Sequence, residues 1–343
     1  MTKKLFIISA MLLTAQSCSL NPFGGGGGPI GGILKSTDAG ETWERAVALE
    51  GEGTLAGVST AHVYVEKNDA DNLLLTSPTN GVYISSNGAQ NWKQVLSARI
   101  YDAASSGSRH ELIVAGGQSG GVAKAFRSND RGESWIEVFS ESEPNTFVSA
   151  ARFYPGNSEE VVIGLSTGEL VLSRNGGLSW NLMSDLTGRI LEIYISPSNR
   201  NLIYALSMTE GVYRSTDGGN AWEKATEGVK VSKYFGFEIL ESNENAMYVA
   251  TDKGLYRTAN AGANWQLLTL PSHEESNVVS AVTVNQNKVN EVYAAIGQTL
   301  YKSLDSGDTW QTRTLPSPES VRDIAVDPGQ GNILYISQGQ VLK

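Results

Sequence analysis

The chain has 343 residues, 40% of them hydrophobic, 8% aromatic and 18% charged, and 36 acidic against 26 basic side chains give a formal net charge of −10. That excess of carboxylates argues against nucleic acid and anionic polysaccharide as partners, since both need clustered Lys and Arg. The single cysteine, Cys18, excludes an internal disulfide, and the sequence has no phosphate loop, dinucleotide fingerprint, Cys/His metal spacing or Gly-x-Ser-x-Gly.

Lys3 and Lys4 precede an apolar run over 5–13, too short to span a bilayer and laid out as an export signal. Ala15, Gln16 and Ser17 then lead to Cys18. This resembles a bacterial lipoprotein signal, which implies removal of residues 1–17 and lipid modification of Cys18. Cleavage after Ser17 by an ordinary signal peptidase, giving a soluble secreted protein, is the other reading. Residues 18–32 include Gly24 to Gly28 in a row. Such a run cannot repay its ordering entropy, so it reads as a flexible tether, with a fully extended reach of roughly 50 Å. The expected place of the protein is the extracytoplasmic side of a bacterial envelope, with the membrane touched through the lipid alone.

Residues 33–343 are organised by one eight-residue phrase, clearest at Ser215-Thr216-Asp217-Gly218-Gly219-Asn220-Ala221-Trp222. Seven copies occur, and every tryptophan closes one. Their third and last residues are Asp38 and Trp43, Asn87 and Trp92, Asp130 and Trp135, Asn175 and Trp180, Asp217 and Trp222, Asn260 and Trp265, and Asp305 and Trp310. Successive tryptophans are 42 to 49 residues apart, the period of a four-stranded propeller blade. Within the phrase, Ser and Asp (or Asn) side chains can accept backbone N–H groups two residues on, which folds a turn. A glycine two residues after the Asp permits positive φ, and the Trp buries its ring against the turn while its N–H seeks an acceptor. These residues are therefore read as structural.

The phrase resembles the Asp-box, S-x-D-x-G-x-[ST]-W, of the BNR-repeat proteins, which include sialidases, sortilin-type receptors, xyloglucanases and photosystem II assembly factors. The resemblance covers everything from Ile33 onward and implies a β-propeller. It says little about function, because one scaffold serves many tasks.

Taken in order, the strands agree. Blade five reads as strands over 190–195, 202–206 and 212–215, with the outer strand starting at Trp222. Short apolar second strands recur over 73–75, 112–114, 161–163, 247–249, 292–294 and 333–335, as expected for strands covered on both faces. Before the first phrase there is only one strand, 33–36; after the last come two without partners, 321–326 and 333–336. Together they complete one blade and hide the edges. The expected fold is all-β: a seven-bladed propeller of four-stranded antiparallel blades, the closing blade shared by both ends of the chain. A split eighth blade is the alternative, and residues 340–343 resemble a strand without a clear place.

Function should lie on the face formed by loops 50–57, 117–123, 140–147, 228–237, 272–279 and 316–321. On one of them Lys230, Lys233, Tyr234 and Phe235 combine cations with aromatics, the composition of a contact hot spot; the competing reading buries Tyr234 and Phe235 at the start of a strand. Aligning innermost strands puts Asp102, Glu192 and Asp323 at one equivalent position, with His62, Ala150, Phe237 and Ala281 in the other blades. These groups converge near the channel mouth, either contacting channel water and capping a neighbouring blade or forming an oxygen-rich cation site, for which calcium is the candidate cofactor. No confident metal site and no other cofactor is expected.

Sialidase-like proteins need an Arg-Ile-Pro phrase before the first box, which is absent here, and xyloglucanases place two acids across a cleft between tandem propellers. The expectation is therefore a monomeric, non-catalytic module that binds a protein or surface glycan. A glycoside hydrolase, or an assembly chaperone resembling the photosystem II factors, are the alternatives.

Overall fold

The computed structural model describes residues 31–339 apart from 68, 107, 108 and 272–276. The expected export signal, Cys18, nearly all of the expected tether, much of loop 272–279 and residues 340–343 lie outside the described residues. Among those described there is no α-helix, and the strands form seven four-stranded antiparallel sheets. Among the described residues no helix is long and apolar enough to cross a membrane.

Blade 1 is the shared one. Its strands, from the channel outward, are Val321–Val326, Leu334–Gln338, Gly32–Ser36 and Glu44–Arg45. Gly32 pairs with Gln338 and Ser36 with Leu334, so the N-terminal strand is held on both sides. Six further blades follow in sequence, with innermost strands Val63–Val65, Arg99–Ser106, Val148–Tyr154, Ile190–Ile195, Tyr234–Leu240 and Ala281–Val284. Seven blades close the ring, and the eighth is not formed. The chain enters blade 1 on the loop-rich face, where the Gly32 N–H donates to Val58 O and the single Thr60 hydroxyl proton is shared between Gly32 O and Gln338 O, at 2.9 and 2.8 Å.

Apolar burial lies mainly between blades. Ile33 and Tyr335 of blade 1 pack with Val63, Val65 and Trp92 of blade 2, and Tyr248 and Ala250 of blade 6 pack with Val282 and Val284 of blade 7. Each second strand is covered on both faces, which is why it reads as an unbroken apolar run.

All seven Asp-box turns share one hydrogen-bond pattern. The hydroxyl of the first residue (Ser36, Ser85, Ser128, Ser173, Ser215, Thr258, Ser303) accepts the N–H of the fifth at 2.7–3.1 Å. The Oδ1 of the third accepts the N–H of the seventh at 2.8–3.0 Å. The strong bonds thus span four residues; those spanning two are longer, as from Asp38 N to Ser36 Oγ at 3.4 Å. Hydroxyls of Thr42, Ser134 and Thr309, followed by the N–H groups of the same residues, hold Asp38, Asp130 and Asp305 at a pKa of about 2. Asp217, whose main partner is the Ala221 N–H, is lowered as well.

The tryptophans divide by partner. Trp92, Trp135, Trp180 and Trp265 donate their indole N–H to Ala46, Val95, Val138 and Ala225 of the preceding blade at 2.7–2.9 Å. Trp43 and Trp222 bond within their own turns, and the buried Nε1 of Trp310 has no partner. Only Trp92 is fully buried. The phrase therefore fastens blade to blade as well as closing its own turn. Trp92→Ala is expected to lower stability by about 3–5 kcal/mol. Trp222→Ala, at a half-buried site, should cost about 1–2 kcal/mol; urea melts of both variants check the difference.

Candidate functional site: the mouth of the central channel

Each innermost strand starts on the loop-rich face and lines the channel. In five blades its pairing slips by one residue near the start, between Ile100 and Asp102, Val148 and Ala150, Ile190 and Glu192, Tyr234 and Gly236, and Val321 and Asp323. A bulge of this kind re-aims the side chain it inserts. The inserted residues are Tyr101, Ser149, Leu191, Phe235 and Arg322, and four of them, all but Ser149, line a cavity of about 70 Å³ at the mouth together with His62 and Arg189.

One step inward the structure brings Asp102, Ala150, Glu192, Asp323, His62 and Ala281 to the same level, as the sequence alignment expects. Blade 6 differs: Gly236 takes the place assigned to Phe237, whose ring is buried in the apolar cluster between blades 5 and 6. The bulge adds one residue, which shifts the alternation by one. The gap left by Gly236 is used, because a Cβ there would stand 3.2 Å from Glu192 Oε1.

Two of the acids fasten neighbouring blades. Asp102 is 2% exposed; its Oδ2 accepts the Ala151 N–H at 2.9 Å and the Arg152 guanidinium at 2.6 Å, and its Oδ1 accepts the Ala103 N–H. Asp323 Oδ2 accepts the Val63 N–H at 3.0 Å and lies 3.5 Å from His62 Nδ1, while Oδ1 accepts the Ile324 N–H. Their oxygens are thus committed, and the described residues contain no group of three His, Cys, Asp or Glu side chains that could hold a metal. The candidate calcium site has no donor set among them.

The remaining channel groups titrate in a protein-walled space. Burial pushes Glu192 up to about 7, against the opposing pull of His62 and Arg152. Burial likewise pushes Glu238 up to about 8, although Gln286 and Thr283 hydrogen-bond its carboxylate. Burial opposes the charge on His62, yet Asp323, Asp102 and Glu192 outweigh it and raise its pKa. Arg152 and Glu238 were missed in the sequence; both sit two residues beyond Ala150 and Gly236 on the same strand face, and simple alternation finds them once the register is right. At the far end, Lys67 of blade 2 meets Glu241 of blade 6 at 2.5 Å, a bridge between non-adjacent blades.

The mouth itself is cationic. Arg189, just ahead of the innermost strand of blade 5, lies 5.3 Å from the Tyr101 ring and 4.8 Å from the Phe147 ring, and these two rings stack at 4.3 Å. Its buried Nε has no hydrogen-bond partner. Arg322 also has no hydrogen bond or ion pair among the described residues. Burial lowers both pKa values, and each guanidinium still carries its charge. The quartet Lys230, Lys233, Tyr234 and Phe235 is split. Tyr234 is buried, Phe235 lines the mouth, and the two lysines are exposed on the loop with no ion pair among the described residues.

Residues 178–341 match the family model described as photosynthesis system II assembly factor YCF48. The fold is similar to that of a GH74 xyloglucanase from Xanthomonas campestris, with TM-score 0.71 and 15% identity over 86% of this chain and 52% of that one. It is also similar to YCF48 from Cyanidioschyzon merolae, with TM-score 0.62 and 14% identity over 82% of this chain and 95% of that one. A YCF48 structure bound to a D1 peptide gives TM-score 0.62 and 16% identity over 87% and 99%. The chain thus spans about half the length of the xyloglucanase and nearly all of the YCF48 chains. No curated protein sequence matches it.

Asp102→Ala is expected to cost about 3–5 kcal/mol, because it leaves the Arg152 charge and the Ala151 N–H without their partner; denaturant titration with and without the substitution measures it.

Proposed function

We propose that this chain, a propeller of the BNR (Asp-box) type, is a non-catalytic binding module held at the cell envelope through Cys18, and that a segment of another protein docks an anionic group into the channel mouth. The unpartnered pair Arg189 and Arg322 carries this reading. Two like charges share one small concavity, and neither forms an ion pair there, although Asp323 exerts a Coulombic pull on Arg322, in a protein whose net charge is −10. An incoming anion relieves that repulsion and supplies the missing acceptors. The Tyr101–Phe147 stack holds Arg189 in place beforehand, so little ordering entropy is lost on binding. Arginine beside aromatic rings is also the composition of contact hot spots. Support for a peptide ligand comes from the similar fold of YCF48, which has been captured with one.

A glycoside hydrolase is the second reading, favoured by the fold shared with GH74 and by Glu192 and Glu238, whose raised pKa values of about 7 and about 8 suit a general acid. Size disfavours it: the cavity at the mouth measures about 70 Å³, small for a site that must enclose a sugar ring. Turnover of aryl glycosides by the wild-type head, lost in Glu192→Gln, would replace the binding reading.

Bait carrying Arg189→Met and Arg322→Met should fail to retain the partner that wild-type bait captures from detergent-solubilised envelopes; equal capture by both refutes the mouth as the docking site. Cys18→Ser should release the protein from membranes into the soluble fraction with unchanged thermal stability, as flotation followed by melting of the released protein would show.

A further inference from the structure

Resting on the docking reading above, we propose that His62 is a third, proton-dependent ligand of the channel mouth, so that the site takes a carboxylate more tightly as the pH falls. The geometry is specific. The His62 ring lines the same cavity as Arg189 and Arg322, and its side chain is 31% exposed there. Nδ1 faces Asp323 Oδ2 at 3.5 Å, and Asp323 is fixed by the Val63 and Ile324 N–H groups. Nε2 has no hydrogen-bond partner among the described residues. In the neutral ring, with Nδ1–H turned to Asp323, Nε2 presents a lone pair, which an anion in the mouth cannot use. Protonation turns that same atom into a charged donor beside two guanidiniums.

The surroundings set the direction of the effect. Asp323 and Arg322 face His62 from blade 1, Asp102 and Tyr101 from blade 3, and Arg189 and Glu192 from blade 5, while Arg152 of blade 4 is paired with Asp102 and Glu238 lies further in on blade 6. The acids keep the imidazolium accessible near neutral pH, and the arginines cannot titrate. A raised pKa means the extra donor is fully present below the ordinary histidine range and is lost as pH rises through the folded value. Glu192 and Glu238 work in the same direction, since their ionisation at higher pH adds negative charge below the mouth. The test must therefore separate His62 from them.

The probe is an N-acetylated dipeptide with a free C-terminal carboxylate, compared with its C-terminal amide, both titrated into the purified head carrying 13C-labelled histidine. In the wild type, affinity for the acid should rise by roughly five- to tenfold from pH 8 to pH 5.5, the scale of one partly exposed charge-assisted hydrogen bond. The His62 ring resonances should titrate at higher pH when the acid is bound, and the amide should show neither effect. His62→Gln should flatten the affinity profile. The wild-type ring titration needs no variant and stands even if His62→Gln folds poorly. Persistence of the slope in His62→Gln, or a His62 titration unmoved by bound acid, assigns the pH effect to the channel glutamates and overturns the proposal, leaving the docking reading intact. Failure of the acid to bind at any pH overturns the docking reading and this inference with it.

Discussion

Seven times the chain must turn from a third strand into an outer one, and each time it does so through two consecutive residues with positive φ. Ala39 and Gly40 lie at 59° and 87°, Arg131 and Gly132 at 57° and 85°, Ser306 and Gly307 at 62° and 97°. The second of the pair is glycine in every box except the one with Ala89, whereas the first is often a residue with a side chain. Such residues pay about 1–2 kcal/mol each to sit there, and they stay because the turn is over-determined. A hydroxyl grips one N–H, an Asp or Asn oxygen grips another, and in four boxes the closing tryptophan reaches into the preceding blade. The strain is thereby tied to the seam between blades, where most of the apolar surface is buried, so turn and ring closure depend on one another.

That dependence explains what could be read in advance. The boxes announce themselves because their bonds are local and need fixed residue types at fixed spacing, and strands 190–195 and 321–326 appear where the apolar pattern puts them. The shared closing blade follows from counting strands at the two ends. The channel was legible only in part. Asp102, Glu192 and Asp323 each follow a bulge of the same kind, and His62 stands level with them in blade 2, whose innermost strand has none. Phe237 was misplaced by one residue, because a bulge leaves no mark in composition and Tyr-Phe-Gly-Phe gives apolar side chains on both faces. Arg189 and Arg322 escaped notice for a related reason. One precedes its strand and the other is the inserted residue of a bulge, so neither falls on a periodic position.

The channel wall and its mouth treat charge in opposite ways. In the wall, Asp102 has Arg152 and a backbone N–H, and Asp323 has His62 and another, so the acids join blades at little electrostatic cost. At the mouth, Arg189 is stacked on rings that hold it without neutralising it. A charge left without an ion pair in a channel where Asp102 and Asp323 have theirs is a better indicator of purpose than net charge, which here has the opposite sign from the site.

The N-terminal strand Gly32–Ser36 lies between two others, and its first residue is at the mouth face. Tension arriving through the preceding residues runs along the axis of that strand. Its bonds to Leu334–Gln338 on one side and to Glu44–Arg45 on the other are then loaded together in shear, instead of opening one by one as a peeled edge would. A strand paired on both sides therefore resists a pull along its axis at Gly32 better than an edge strand would.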